Sequence, residues 1–556
     1  MPDYPWYKSY DKEVPRSLQP YPDMTHLDVI AETTREMPEH TFMIFKDRYF
    51  SYRETSRLLE TMAAALTARG IKKGDRVASI LLNMPQQLIG AFGTMKAGGI
   101  YVPLNPLYNE DELVHALTTV DAEVVIVWDL LYRNVKKIQP RTKLRLIIAT
   151  SLEDYMLPGA RKPHSVELEK GDVWMDELIA ENSSGRVPSV KLGVDDTAVV
   201  LFSGGTTGAP KGAMLSYGNM MAVGLQSIAW NKDGMMNPND VTIAAMPMFH
   251  SYGFIGIIGC SLCLRSPLAI VPNPRDIDDF IDTIKKVRPA TMPAVPPILI
   301  ALMEHPEVKS GKVDFSKLKF CLSGAMPIMK ETKARFESVT GARILEAYGM
   351  TESTVVLSVC PFSGKWKEGS VGLPMPDVII RFVDAVDPTK EIPYGEEGEV
   401  VAKGPQVMQG YWNNPKGTAE IIKDGWLYTG DIGYMDEDGY IYLTSRKKDL
   451  IKPSGHQVWP KEVEEVIATH PAVAEVGVAG IPDPYQGEAV KAWVVLISGE
   501  KLNAGELQAY CREKLTAFKV PKFIEFRETL PKTMVGKILR RVLLEEEKAK
   551  SGQPKV

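Results

Sequence analysis

The sequence predicts an α/β protein: a large N-terminal α/β domain of layered subdomains over residues 1–447, then a small α+β domain over residues 448–556. Two observations carry this. Between residues 55 and 99, apolar residues at helical spacing (Leu58, Leu59, Met62, Leu66) give way to the β-rich run RVASILL, and the alternation returns at AEVVIVWD and LRLIIAT. Beyond a Gly-, Asp- and Tyr-dense stretch (425–448), residues 461–470 read as a helix, AEVGVAGI and KAWVVLI as strands and 506–515 as a helix, a unit of about 110 residues.

Between these parts, turn residues are dense over 158–193, and the apolar strand that follows, 196–202, runs straight into glycines. Residues 254–264 are the longest apolar stretch, well short of the ~20 needed to span a bilayer. Cys260 and Cys263 form a CxxC inside that run with no second pair or histidine cluster nearby, so both read as buried packing residues. The final KAKSGQPKV reads as a disordered tail, and there is no internal repeat.

Composition narrows the function. The chain has 556 residues, 44% hydrophobic and 24% charged, as expected of a multidomain globular protein. Its 65 basic and 70 acidic residues give a net charge of -5, without the basic excess of a nucleic-acid binder. The N-terminus MPDYPWYKSYDKEVP lacks the basic start and apolar core of a secretory signal, which places the protein in the cytoplasm. Peripheral contact with the inner face of the membrane and a homodimer stay open.

The most informative segment is Ser203-Gly204-Gly205-Thr206-Thr207-Gly208-Ala209-Pro210-Lys211-Gly212. Glycines let backbone N–H groups approach an anion, while two hydroxyls and a lysine complete its coordination. It differs from a Walker A loop: Pro210 intervenes before Lys211, and Gly212 stands where Ser or Thr would be required. Further markers follow: Met246-Pro247-Met248-Phe249-His250, Ser323-Gly324-Ala325, Tyr348-Gly349-Met350-Thr351-Glu352, Tyr428-Thr429-Gly430-Asp431, Arg446-Lys447-Lys448-Asp449 and Pro531-Lys532-Thr533-Met534-Val535-Gly536-Lys537.

In this order and over nearly the whole chain, these segments resemble the adenylate-forming superfamily of acyl- and aryl-CoA synthetases, luciferases and peptide-synthetase adenylation domains. The resemblance implies a carboxylic acid activated by ATP as an acyl-adenylate, with release of pyrophosphate, then transfer to coenzyme A. It implies that Thr206, Thr207 and Lys211 meet phosphate oxygens, with Ser203, Gly204, Gly205 and Gly208 shaping the cradle. Glu352, with Thr207, would hold Mg²⁺. The segment from Ser323 through Gly324 and Ala325 to Met326, together with Tyr348, Gly349 and Thr351, would frame the adenine. Asp431 and Arg446 would meet the ribose, although an Asp after Gly also fits a plain turn.

Lys537 matches the lysine that bridges the carboxylate and the α-phosphate, and must be delivered by a mobile small domain. Lys448 aligns with the hinge, and the face Ser454-Gly455-His456-Gln457 would turn toward a pantetheine tunnel for thioester formation. His250 would be a gate or substrate contact rather than a nucleophile. The Gly-Gly doublet of SGGTTG and the N-terminal PWYKSYDKEVP are most like bacterial long-chain fatty acid–CoA ligases, while Ser445 departs from the Gly or Asp of many relatives. Medium-chain, aryl or alicyclic acids, and a carrier protein as acceptor, remain alternatives.

Overall fold

The apolar runs of the first 216 residues supply seven strands of one eight-stranded sheet. The computed structural model describes residues 3–550 except 161, 186–188, 204–209, 232–235, 455, 457 and 533–535. Across the sheet the order is Gly410–Tyr411, Lys211–Ser216, Thr197–Ser203, Ile100–Pro103, Arg76–Ile80, Val124–Trp128, Leu146–Thr150 and Val173–Trp174. From Thr197–Ser203 to Val173–Trp174 neighbouring strands are parallel. The central strands are buried, as near-continuous apolar runs require when helices cover both faces. The strand expected at 196–202 is there, and Lys211–Ser216 returns antiparallel beside it with Ser203 opposite Lys211, so the glycine-rich loop closes a hairpin.

Two four-stranded sets form a second layered unit. Thr242–Ala244, Leu268–Ile270, Thr41–Phe45 and Arg48–Ser51 make one, and Phe320–Ser323, Arg343–Tyr348, Ser358–Val359 and Leu373–Pro374 the other, linked by bridges through Thr291. A third sheet is antiparallel throughout: Glu391–Ile392, Ile379–Val383, Gly398–Lys403, Trp426–Met435 and Ile422–Lys423, with Ile441–Arg446 also on Trp426–Met435.

The C-terminal part has apolar cores of its own, drawn from residues 451–543. The strands Val473–Asp483, Gly487–Leu496 and Phe523–Arg527 form a mixed sheet packed by the helices Pro460–Ala468, Ala504–Arg512 and Arg540–Lys550. That helix corrects the expected tail. Lys548, Ala549 and Lys550 continue it because Leu543 buries its inner face and the Lys550 ammonium reaches the Glu525 carboxylate at 2.9 Å. The rest of the tail, 551–556, lies outside the described residues. Among the described residues, no helix is long and apolar enough to cross a membrane.

Candidate active site

The three sheets and the C-terminal part converge on one cavity of about 1270 Å³. Ser203, Lys211, His250, Gly324, Ala325, Tyr348, Gly349, Thr351, Glu352, Arg446, Lys448 and Lys537 all line it. The structure therefore brings together residues spread over 335 positions of sequence, from 203 to 537 counted inclusively. Gly204, Gly205, Thr206, Thr207, Gly208 and Gly455 lie outside the described residues. The ends of the glycine-rich loop are pinned at its base, where the Ser203 hydroxyl donates to the Lys211 carbonyl at 3.4 Å.

Glu352 is set by a strained turn. After the strand Arg343–Tyr348, residues 351–353 make a single 3-10 turn, and Thr354 and Val355 follow with φ of 51° and 85°, a region β-branched residues rarely enter. Buried bonds hold it: the Thr354 hydroxyl donates to the Gln406 carbonyl at 2.6 Å, and the Met408 N–H to the Glu352 carbonyl at 2.9 Å. Gly349 is demanded by the same turn, since a Cβ there would stand 2.1 Å from the Val355 carbonyl oxygen. Its role includes backbone packing, which the resemblance did not convey. Glu352 is 5% exposed rather than a solvated charge, and its carboxylate accepts from the Tyr411 hydroxyl at 2.7 Å. Burial, then the Glu352 charge, push the Tyr411 hydroxyl far above its ordinary value, keeping it a donor.

Asp431 sits in a strand and not in a plain turn. Where Gly398–Lys403 pairs with Trp426–Met435 the register slips, Gly430 takes a φ of 71°, and the Thr429 hydroxyl donates to the Val400 carbonyl at 2.8 Å. This bulge presents Asp431, whose carboxylate accepts from the Tyr348 hydroxyl and from Arg446 Nε, both at 2.8 Å. Asp431 reaches the cavity through these two lining residues. Burial, with the Asp431 charge behind it, raises the Tyr348 hydroxyl well above its ordinary value. A Cβ at Gly324 would make an ordinary contact, 3.5 Å from the Ala347 carbonyl oxygen, and Ala325 beside it has a φ of 67°.

His250 accepts the Tyr252 N–H on Nδ1 at 3.2 Å. Burial, then the nearby Lys537 charge, bring its pKa down to about 4. The ring is therefore neutral with its proton on Nε2, a hydrogen-bond donor and not a base at neutral pH. The Lys537 ammonium is pushed down to about 8 by burial and then by Arg446, so it is mostly charged at neutral pH. Burial likewise lowers Lys448, with Arg446 adding to it. Lys448 belongs to the turn Lys447–Asp449, flanked by the ion pairs Lys447–Glu399 at 2.7 Å and Arg540–Asp449 at 2.9 Å.

The other end of the cavity is apolar. Residues 252–259 form a π-helix that runs into the α-helix Cys260–Leu264; Gly256, Ile257, Cys260, Ser261 and Leu264 face the cavity while Phe254, Ile255 and Ile258 fill the core. Opposite runs the helix Tyr217–Trp230, started by a capping box between Ser216 and Asn219, which contributes Val223, Ser227 and Trp230. The CxxC reading is half corrected. Cys263 packs against Val29 and Met221, whereas Cys260 lines the cavity and accepts from the Ser227 hydroxyl at 3.0 Å. Tyr411, Ser227 and Trp230 were missed from sequence, and none lies inside a marker segment.

The residues fit a nucleotide and its cation. A buried carboxylate held by one neutral hydroxyl, beside Thr351 and Lys211, suits a hard metal ion, and the cationic groups Lys211, Arg446, Lys448 and Lys537 suit phosphates. A cationic end open to an apolar end suits one class, the enzymes that activate a carboxylic acid with a nucleotide. The chain belongs to the AMP-binding enzyme family: the model of that description matches residues 30–412, and the AMP-binding enzyme C-terminal domain matches residues 462–537.

The chain is 39% identical over 98% of both chains to the long-chain-fatty-acid–CoA ligase of Bacillus subtilis. Its structure is similar to that of ATP-bound MatB from Rhodopseudomonas palustris, with a TM-score of 0.83 and 29% identity over 94% of this chain and 99% of that one. It is also similar to the anthranilate CoA ligase AuaEII in complex with anthranoyl-AMP, with a TM-score of 0.84 and 25% identity over 96% and 99%. The protein is an AMP-forming acid–thiol ligase that uses ATP, Mg²⁺ and coenzyme A.

Proposed function

We infer that the acid is a medium- or long-chain fatty acid, joined first to AMP and then to coenzyme A in the cytoplasm. The observation that carries this is the apolar arm of the cavity, walled by Ile257, Leu264, Val223, Trp230, Phe362 and Met375 without a charged side chain among them. A ring acid such as that of the anthranilate ligase would leave much of the arm unfilled, whereas the Bacillus subtilis relative is a long-chain-fatty-acid–CoA ligase.

The residues divide the work as follows. Lys211, with Thr206 and Thr207, binds phosphate oxygens, and Glu352 with Thr207 would hold Mg²⁺, which would supply positive charge beside the phosphates. Gly324, Ala325, Tyr348 and Gly349 bound the adenine, and Asp431 with Arg446 orients the ribose. Lys537 touches the carboxylate and the α-phosphate together as the oxygen–phosphorus bond forms and pyrophosphate leaves. His250 donates from Nε2 to the substrate.

Residues 1–447 form the binding body and 448–556 the mobile domain, with Lys448 at the hinge. Lys537 lines the cavity, whereas Ser454 and His456 line a separate cavity of about 560 Å³, which supports reading this arrangement as the adenylating one, with the small domain turning for thioester formation. The test is pyrophosphate and AMP release with ATP and Mg²⁺ across straight-chain acids, benzoate, a cinnamate and cyclohexane carboxylate, with and without coenzyme A. An optimum on medium or long chains, dependent on coenzyme A for turnover, is expected; a ring-acid optimum overturns the substrate, and turnover indifferent to coenzyme A overturns the acceptor.

A further inference from the structure

Residues 4–11 form an aromatic strap that ends behind the wall of the apolar arm. Tyr4 and Trp6 stack with centres 4.4 Å apart, and Tyr7 meets both Trp6 and Tyr10 edge-on. The strap is anchored on the antiparallel sheet. Trp6 is fully buried, a Cβ at Gly439 would lie 2.3 Å from the Trp6 Cα, and the Ser9 hydroxyl donates to the Asp438 carbonyl at 2.8 Å.

Its last two residues touch the back of the cavity wall at three places. The Tyr10 ring stands edge-on to Trp230, 5.2 Å between centres and 76° between planes. Its hydroxyl donates to the Pro374 carbonyl at 2.7 Å, and the next residue, Met375, lines the cavity. The Asp11 carboxylate accepts the Ser363 N–H at 3.0 Å, and the preceding residue, Phe362, lines the cavity. Tyr10 and Asp11 do not line it themselves. Trp230 is otherwise fixed by its indole N–H, which donates to the Cys360 carbonyl at 3.2 Å. Three wall segments thus rest on two consecutive residues.

We propose that Tyr10 and Asp11 are positioning residues for acyl-chain selection: the strap sets the depth of the apolar arm by holding Trp230, Phe362 and Met375 in place. This rests on the fatty-acid reading. Removing the Tyr10 ring opens a void behind Trp230, into which the indole relaxes, and the arm deepens because packed side chains move toward lost neighbours. The chemistry should not follow, since Tyr10 and Asp11 stand behind the wall and do not line the cavity that Lys537 and Glu352 line.

The experiment compares full-length wild type, Tyr10→Ala and Tyr10→Phe for kcat and KM over straight-chain saturated acids from short to long, with melting temperature measured alongside. Tyr10→Ala should move the optimum toward longer acids, the ratio of kcat/KM between the longest acid and the wild-type optimum rising about tenfold, mainly through KM. Tyr10→Phe keeps the ring against Trp230 and loses only the bond to Pro374, so its shift should be in the same direction and well below that of Tyr10→Ala. If Tyr10→Ala does not accumulate as folded protein, Tyr10→Leu carries the test with a smaller shift in the same direction. A variant that melts lower but keeps the wild-type profile, or loses kcat equally on every acid, overturns the proposal. A wild-type enzyme indifferent to chain length overturns instead the reading beneath it, and the wild-type panel shows which has failed.

Discussion

The two ends of the cavity are held by different forces. At the polar end each functional side chain is tied by hydrogen bonds or charge: Glu352 to Tyr411, Asp431 to Tyr348 and Arg446, His250 to the Tyr252 backbone. At the apolar end the wall is held mainly by packing, with single bonds such as Ser227 to Cys260 and Trp230 to Cys360. Directed bonds are limited in angle as well as distance, whereas packing contacts are limited in distance alone. Damage at the polar end should therefore appear in rate with every acid, and damage at the apolar end in the choice of acid.

The largest break in that comparison is Lys537→Ala. Removing an ammonium aimed at developing charge costs roughly 10²–10³ in rate where such a group is preorganised. Acyl-adenylate formation, followed by pyrophosphate exchange, should fall by about that factor on every acid. Thioester formation from supplied acyl-adenylate should stay within a fewfold of wild type, and equal loss of both steps would remove the role assigned to Lys537. Next comes Glu352→Gln, which keeps shape and burial but removes the charge; adenylation should fall about a hundredfold, with a raised Mg²⁺ requirement. An unchanged Mg²⁺ titration would show that the metal sits elsewhere.

At the apolar end, Ser227→Leu fills space opposite Cys260 between Val223 and Trp230. Long acids should lose about tenfold in kcat/KM relative to shorter ones, the usual worth of a methylene or two in a hydrophobic pocket. The rate on the best short acid should hold. A uniform loss across chain lengths would mean that the two ends are mechanically coupled.

The same difference explains what was legible in the sequence. The polar end is built from strand ends and tight turns, so its residues are neighbours in sequence: Tyr348 to Glu352 fall in one segment, and Thr429 to Asp431 in one bulge. Such local constellations leave a motif. Tyr411 meets Glu352 across 59 positions and Tyr10 meets Trp230 from far away in sequence, and neither pairing leaves a local pattern. The antiparallel sheet was missed for a related reason. Its strand Gly398–Lys403 is buried at five consecutive positions, so the alternation that marks a half-exposed strand is absent. The tail was misread because Leu543 alone supplies the buried face of Arg540–Lys550, too little periodicity to show.

The smallest predicted effect tests the polar end without altering a residue. Burial and then Arg446 hold the Lys537 pKa at about 8, below the ordinary 10.5. The ammonium is the active form, present below pH 8 and lost as pH rises through it, so kcat/KM for adenylation should fall to half its plateau near pH 8 and then about tenfold per further unit. Bound phosphates favour the charged form, so the corresponding limb in kcat should lie at higher pH. His250, held at about 4, stays neutral above pH 5 and should contribute no limb between pH 5 and 7. Lys537→Arg supplies the control: a guanidinium does not deprotonate in this range, so whatever activity remains should lose the alkaline limb. If the limb persists in Lys537→Arg, it belongs to another group, and the charge carried into the site from the C-terminal part is not what sets the rate.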